Sequence, residues 1–216
     1  MLTNIGSVGF IQALIIFLVV IFSVSVHEFT HAFIAYLKGD STARDHGRLT
    51  INPLAHFETI GFVMMLVTNF GWGKPVPIDP RNLKNPGKDS LLIACAGPLS
   101  NLILALAAAG ILDLLFNLNI GLATSLGGII LLYMVIINIG LGVFNLLPFP
   151  PLDGSNIYRM FLPLKWQYKI AAMSWEYMII LFLLAFIPII NGQSIISFVL
   201  SPVITSVGHL LVPQAL

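Results

Sequence analysis

Three ionisable side chains, His27, Glu28 and His31, lie within five residues of one another in an otherwise apolar stretch. On a helix, residues four apart share a face one turn from each other, so both imidazoles can reach one metal ion. The glutamate between them would point near that metal without binding it, which suits a general base acting on water. Because ionisable groups are costly inside an apolar span, three on one helix indicate a functional site.

A catalytic zinc site usually has three protein ligands and leaves one position open, so a third ligand is expected elsewhere in the chain. Asp113 lies at the opposite, external end of a predicted span, and Glu176 lies in a span between Trp175 and Tyr177, with no helper residues nearby. Asp153 follows three prolines at a depth similar to that of His31, which precedes Lys38 by about 10 Å of helix. Asp153 is therefore the predicted ligand, although an aspartate at such a position also caps turns.

The rest of the chain is strongly apolar. Of its 216 residues, 57% are hydrophobic and 9% are charged, where a soluble domain has about a quarter charged residues. Long apolar runs predict transmembrane helices, and the composition therefore predicts an all-α polytopic membrane protein with five to six spans. The apolar segments lie at about 8–36, 59–70, 91–116, 123–147, 170–190 and 194–213.

Composition and the N-terminal segment exclude several alternatives. One cysteine, Cys95, cannot form an intrachain disulfide or a cysteine-based zinc site. The formal net charge of +1 predicts no nucleic-acid partner. The first apolar run has no preceding Lys or Arg and no clear cleavage site, so we interpret it as a retained span and not a signal peptide.

The basic residues predict the orientation of the spans. The segment at 59–70 is too short to cross a hydrocarbon core of about 30 Å and is predicted to be a re-entrant or tilted piece. With five crossings, all ten Lys and Arg residues lie on one side, whereas a sixth crossing moves four of them to the other face. The positive-inside rule then predicts a multi-pass protein of the plasma membrane, with its site toward the cytoplasm.

One integral-membrane domain is expected over residues 1–216, with a core at about 8–160 and further C-terminal spans at about 170–213. Residues 44–52 and 72–79 look extended and predict a small membrane-embedded β-hairpin or loop region. An unwound substrate segment could add to such an edge as a strand, although ordinary hairpins at a membrane surface share this composition.

Five motifs occur in order along residues 20–160, and together they resemble the site-2 protease family of intramembrane zinc metalloproteases, in its compact prokaryotic form. The resemblance implies one zinc ion per chain, held by His27, His31 and Asp153, with Glu28 as general base. It also implies that the substrate is a transmembrane segment of another protein, cleaved near the cytoplasmic side of the lipid bilayer. The motifs are HEFTH (27–31), INPLAHFETIG (51–61), GWGKPVPIDP (71–80), GPLSN (97–101) and NLLPFPPLDG (145–154).

Other polar residues join Glu28 as candidates for the reaction. Asn145 is predicted to donate a hydrogen bond to a developing oxyanion or to the substrate backbone, unless it bonds between helices. His56 is predicted near the site, as a substrate-binding group or an additional metal ligand, although a single loop histidine often has neither role. Asn101 is expected to be structural.

Two other classes of protein compete with the protease. A divalent-metal transporter or channel could use the same His and Asp cluster, but such proteins usually have two related halves, and the sequence has no second half. It would also leave Glu28 without a role. A metal-stabilised scaffold would require a closed site with four ligands.

Overall fold

The computed structural model describes residues 9–68, 71–118, 121, 125–172, 174–190 and 192–215, and its fold is mostly helical. Short 3-10 turns cover Pro53–His56 and Pro80–Asn82. Two short strands, β1 (Pro188–Ile190) and β2 (Gln193–Ser194), pair antiparallel. The helices are α1 (Phe10–Leu37), α2 (Thr42–Asp45), α3 (Thr59–Thr68), α4 (Pro86–Asn117), α5 (Leu126–Asn145), α6 (Asp153–Arg159), α7 (Leu164–Ala172), α8 (Ser174–Phe186) and α9 (Ile195–Leu211).

Within the described ranges, three helices are long and apolar enough to cross a membrane: α1, α4 and α5, with 28, 32 and 20 residues. The expected five to six spans are therefore not confirmed. Among the described residues, helices α8 and α9 have 13 and 17 residues, where spanning helices have about 17–25, and Met173, which precedes α8, lies outside the described residues. Helix α8 ends just before Pro188, which cannot continue a helix, and the chain then turns back through Gly192, whose φ is +77°.

Small side chains bring α4 and α5 close together. Ala105, Ala108 and Ala109 of α4 are buried with Val135 and Ile139 of α5 in the main hydrophobic cluster. Alanine and glycine at such contacts let two helix backbones approach closely, which maximises van der Waals packing in an apolar environment. This pair of helices is the frame against which α1 packs.

The sequence analysis predicted a hairpin from residues 44–52 and 72–79, but the strands that pair in the described residues are β1 and β2. Residues 72–79 contain no strand, and residues 44–52 begin within α2. Pro75 and Pro77 have no N–H to donate to a strand partner, and the N–H groups of their neighbours bond elsewhere. The N–H of Lys74 donates to the carbonyl of His56, and that of Val76 donates to Glu28. The segment therefore runs beside α1 as an irregular loop.

A buried carboxylate attaches this loop to the end of α1. Asp40 is fully buried and accepts hydrogen bonds from the Asp79 N–H at 2.7 Å, from the Asn82 side chain at 3.0 Å and from Thr42. Burial by itself would raise the pKa of Asp40, but the hydrogen bonds from Asn82 and Thr42 outweigh it and lower the pKa below its ordinary value. Asp40 is therefore held as the charged form.

We expect Asp40→Asn to lower the free energy of unfolding by about 1–3 kcal/mol, because an amide in this position turns N–H groups toward other donors. Since folding lowers its pKa, the contribution of Asp40 is complete above about pH 4 and is lost as the pH falls through the folded-state pKa. Thermal unfolding in detergent, measured against pH, checks both points. Asp45→Asn is the control, because Asp45 pairs with Arg44 on the exposed surface and should matter little.

Candidate metal centre

The two histidines of α1 point their Nε2 atoms at one another and at Asp153. The Nε2 atoms of His27 and His31 are 3.0 Å apart. The Asp153 carboxylate places Oδ2 3.1 Å from His27 Nε2 and Oδ1 3.2 Å from His31 Nε2. Among the described residues, these three form the cluster of side chains that can hold a metal ion.

Asp153 reaches the cluster because α5 ends at Asn145 and the chain turns back through a proline-rich segment. Gly154 makes this turn possible: a Cβ at that position would overlap the backbone of Leu146 and Leu147. Asp153 then opens α6, seven residues long, with its carboxylate directed at α1. The glycine of the LDG sequence is required by this close backbone approach.

The other ring nitrogen of each histidine is occupied by a group on α4. His27 Nδ1 donates to Asn101 Oδ1 at 2.7 Å, and His31 Nδ1 donates to the carbonyl of Ile93 at 2.7 Å. With the protons on Nδ1, both Nε2 atoms present lone pairs to the space they share with Asp153. Such partners orient metal-ligating histidines and make them better ligands.

Several observations fit a zinc ion in this space. Two neutral imidazoles and a carboxylate are a donor set that zinc accepts, and bonds of about 2.0–2.1 Å in a tetrahedron place ligand atoms about 3.3 Å apart. The observed separations are close to that value. Within the described ranges, the buried Oδ2 of Asp153 has no hydrogen-bond donor, so a cation would satisfy it.

Gly97 of α4 leaves room beside the two imidazoles. A Cβ at position 97 would lie 2.6 Å from His27 Nε2 and still closer to His31 Nε2. That position is nearly as close to both nitrogens as a bound zinc ion. The first residue of GPLSN therefore keeps open the space into which the donor atoms point.

Glu28 lies on the neighbouring face of α1 and lines a cavity that reaches the cluster. Its Oε2 accepts a hydrogen bond from the Val76 N–H at 3.0 Å. A backbone donor in the loop at 71–79 thus orients the carboxylate in the cavity that His27 and His31 also line. This contact links the loop directly to the candidate general base.

The other predicted site residues lie in different surroundings. Asn145 lines the cavity, and its Nδ2 donates to the carbonyl of Leu141 at 3.0 Å. His56 is buried away from the cluster: its Nε2 donates to the carbonyl of Thr50 at 2.7 Å, and its Nδ1 faces the Arg48 guanidinium at 3.3 Å. Asn145 therefore lies at the cavity, whereas His56 connects the loops that contain Thr50 and Lys74.

The sequence analysis did not predict the roles of three residues around the cluster. Asn101, expected to be structural, is the hydrogen-bond acceptor for His27, and Gly97 provides the open space at the cluster. Asn138 also lies behind Asn101 and was not recognised as a candidate. The available signal was the presence of amide side chains inside apolar spans, where polar groups are costly unless they are paired.

The cavity is about 1780 Å³ and is lined by residues of α1, α5, α8 and α9, with further residues from α3, α4, α6 and the loop at 71–80. It follows α1 from Phe10 to His31, and its walls are mostly apolar side chains. Ionisable groups line it around the cluster. Arg159, on the helix α6 that begins at Asp153, also lines the cavity. Long apolar helices around a His–His–Asp cluster, with a glutamate beside it, define a metal-dependent hydrolase embedded in a membrane.

Comparisons with known proteins agree with this class. The model of peptidase family M50 matches residues 15–127 and 122–187. YwhC of Bacillus subtilis, provisionally named a zinc metalloprotease, is 37% identical over 171 residues, which cover 77% of either chain. Rip2 of Mycolicibacterium smegmatis, provisionally named in the same way, is 29% identical over 167 residues, 75% of this chain and 63% of its own length. No solved structure matches.

The chain belongs to peptidase family M50, the site-2 protease family. The resemblance inferred from the five motifs is thereby confirmed, and so are the predictions of a zinc metalloprotease and of Zn²⁺ as its metal. The family and the three apolar helices also identify an integral membrane protein, with the lipid bilayer as its surroundings.

Proposed function

We propose that this metalloprotease cleaves membrane-spanning segments of other proteins within the bilayer. The observation that carries the proposal is the length of the cavity along α1. Its lining runs from Phe10 to His31, or about 32 Å of helix at 1.5 Å per residue. That length is close to the roughly 30 Å of a hydrocarbon core, so the cavity is long enough to accommodate a transmembrane segment.

The size and walls of the cavity support a polypeptide substrate. Pockets for small molecules usually measure about 300–1,000 Å³, and this cavity is about 1780 Å³. Its apolar side chains come from α1, α5, α8 and α9, which suits a substrate that itself consists of apolar residues. The polar groups are concentrated where a peptide bond would be cut, around Glu28 and Asp153.

His27, His31 and Asp153 would hold the zinc ion. When bound, zinc supplies a Lewis acid that polarises the scissile carbonyl and favours deprotonation of the attacking water. Glu28 takes that proton on its carboxylate and delivers it to the leaving amine. The Val76 N–H fixes Oε2 of Glu28, so the base keeps one orientation throughout the proton transfer.

Asn145 is the candidate for contacting the substrate. Its bond to the carbonyl of Leu141 uses one of the two N–H groups of the amide, and the side chain lines the cavity. The second N–H can donate to a substrate carbonyl, where charge develops during peptide hydrolysis. His56 then contributes only by fixing the loop that bears Val76, through its carbonyl bond from Lys74.

The proposed site faces the cytoplasm of the cell that carries the protein in its plasma membrane. His31 lies near the end of α1 that leads to Lys38 and Arg44, and the positive-inside rule places that end on the cytoplasmic side. Labelling of single cysteines introduced into the loop at 79–85, from either side of sealed vesicles, tests this orientation. Labelling from the outside of intact cells would contradict it.

The deciding experiment compares wild type with Asp153→Ala. We expect about one zinc per chain in wild type, with cleavage of a model single-span substrate, and loss of both in the variant, since two histidines alone bind zinc weakly. Asp113→Ala is the control: Asp113 bonds Asn117 at the far end of α4 and should leave both properties unchanged.

Any other outcome of this comparison shows which part of the proposal is wrong. Zinc retained in Asp153→Ala would move the third ligand to another residue. Zinc bound without cleavage of any membrane-spanning substrate would instead favour the divalent-metal transporter. Metal content is measured by mass spectrometry on the purified protein, and cleavage by gel mobility of the substrate.

A further inference from the structure

A line of buried polar side chains runs from α5 through α4 to His27. Asn138 and Asn101 are both fully buried, in the middle of mostly apolar helices. Asn138 Nδ2 donates to the Met134 carbonyl at 2.9 Å and to Ser23 Oγ at 2.9 Å. Asn101 Nδ2 donates to Asn138 Oδ1 at 2.9 Å and, at the longer distance of 3.4 Å, to the Ser23 carbonyl, while Asn101 Oδ1 accepts from His27 Nδ1 at 2.7 Å.

The direction of this line is fixed at its far end. A backbone carbonyl can only accept a hydrogen bond, so the Met134 carbonyl requires that Asn138 turn its NH₂ group toward it. Asn138 then offers its oxygen to Asn101, whose NH₂ group must face α5. The oxygen of Asn101 is left for His27, and an oxygen acceptor there requires the proton of that imidazole to be on Nδ1.

We infer that Asn138 is a positioning residue for the zinc site, which acts through Asn101 to keep the Nε2 lone pair of His27 directed at the metal. The inference rests on the metal role proposed for His27. Asn138 does not contact His27; its oxygen is the nearer of the two acceptors that hold the Asn101 NH₂ group away from His27, at 2.9 Å against 3.4 Å for the Ser23 carbonyl. Partners of this kind typically change metal affinity by about 10–100-fold when they are removed.

The alternative is that the two asparagines only hold helices together, as interhelical amides often do. The two roles differ in what happens when Asn138 is lost. Without its oxygen, only the longer 3.4 Å contact with the Ser23 carbonyl opposes rotation of the Asn101 amide, which can then present NH₂ to His27 Nδ1. The imidazole then accepts a hydrogen bond at Nδ1 and carries its proton on Nε2, where the proton prevents that nitrogen from binding the metal. A purely cohesive role predicts no such change in tautomer.

The first test is the zinc affinity of Asn138→Leu, measured by competition with a chromogenic chelator in detergent. We expect the affinity to fall by about 10–100-fold. Ser23→Ala is the matched control: it removes one bond to Asn138 but leaves the Met134 carbonyl to orient the amide, so zinc affinity should stay at the wild-type value. Wild-type affinity in a folded Asn138→Leu would overturn the inference.

The second test restores binding without restoring Asn138. In the double variant Asn138→Leu with Asn101→Asp, both oxygens of the new carboxylate can accept from His27 Nδ1, so rotation no longer matters. We expect zinc affinity to return to the wild-type range, because carboxylates are common partners of zinc-bound histidines. If the folded double variant binds zinc as weakly as Asn138→Leu, the asparagines are cohesive only.

A third measurement needs no variant. Nitrogen chemical shifts of His27 in metal-free wild type report which ring nitrogen is protonated, and we expect Nδ1; a proton on Nε2 would overturn the inference even if the variants fail to fold. The zinc content of His27→Ala separates this from the proposed function. Zinc that stays bound without His27 refutes the assignment of His27 as a metal ligand. The tautomer of His27 in wild type still tests whether Asn101 and Asn138 orient the imidazole.

Discussion

The Gly97→Ala variant should lose bound zinc and proteolytic activity together, although it adds only one methyl group. The added Cβ would lie 2.6 Å from His27 Nε2, and real Cβ atoms essentially never approach that closely. Either the methyl occupies the space for the ion or the imidazoles move apart, and both outcomes disrupt the three-donor arrangement. We expect zinc affinity to fall by at least the 10–100-fold that loss of a supporting group causes.

The control for this prediction lies on the same helix. A Cβ added at Gly110 would meet no neighbouring side chain within 4 Å among the described residues, so Gly110→Ala should keep zinc and activity and gain up to about 1 kcal/mol of helix stability. Zinc content and cleavage are compared for the two variants, with thermal unfolding of the metal-free proteins. One zinc per chain in Gly97→Ala would refute the assigned position of the metal.

The second large effect is expected for Glu28→Gln, which should retain zinc and lose cleavage. Glutamine has nearly the same shape, and its side-chain oxygen can still accept the hydrogen bond from the Val76 N–H. It cannot take a proton from water, and positioned general bases typically contribute about 10²–10⁴-fold to the rate. Single-turnover cleavage of a single-span substrate, with metal content measured on the same sample, checks the separation.

Glu58→Gln provides a comparison for the same chemical change. Glu58 also accepts from a backbone N–H, that of Gly61 at 2.6 Å, but it stands at the start of α3, outside the cluster. This variant should keep both zinc and activity. Wild-type rates in Glu28→Gln would show that the proton is taken by another group, and loss of zinc in that variant would show that Glu28 is needed to hold the metal.

The clustering of His27, His31 and Asp153 was predictable from helical spacing together with depth in the membrane. Four-residue spacing puts His27 and His31 on one face, and an estimate of depth singles out Asp153 among the few acidic residues. The supporting groups were less accessible. The contact from Asn101 to His27, and the open space at Gly97, depend on how α4 is rotated against α1, and rotation about a helix axis is not encoded in spacing.

The fold was predictable where apolar runs are long and uninterrupted. The spans α1, α4 and α5 follow directly from hydropathy. The two C-terminal spans are not confirmed, because the described residues there form shorter apolar helices, with β1 and β2 between α8 and α9. The strand pairing was expected around 44–52 and 72–79 because both segments have a composition typical of extended chain. Composition does not show which groups these segments bond to. There, Val76 bonds to a side chain on α1 in place of a neighbouring strand.

The alanine-lined contact between α4 and α5 has a practical consequence for handling the protein. Asn101 and Asn138 stand on these two helices, and their 2.9 Å bond can persist only while the helix axes stay at their present separation. Retention of zinc therefore becomes a gauge of that separation. A detergent that loosens the pair should release metal before the helices unfold. If the purified enzyme contains no zinc, the detergent is therefore the first cause to examine.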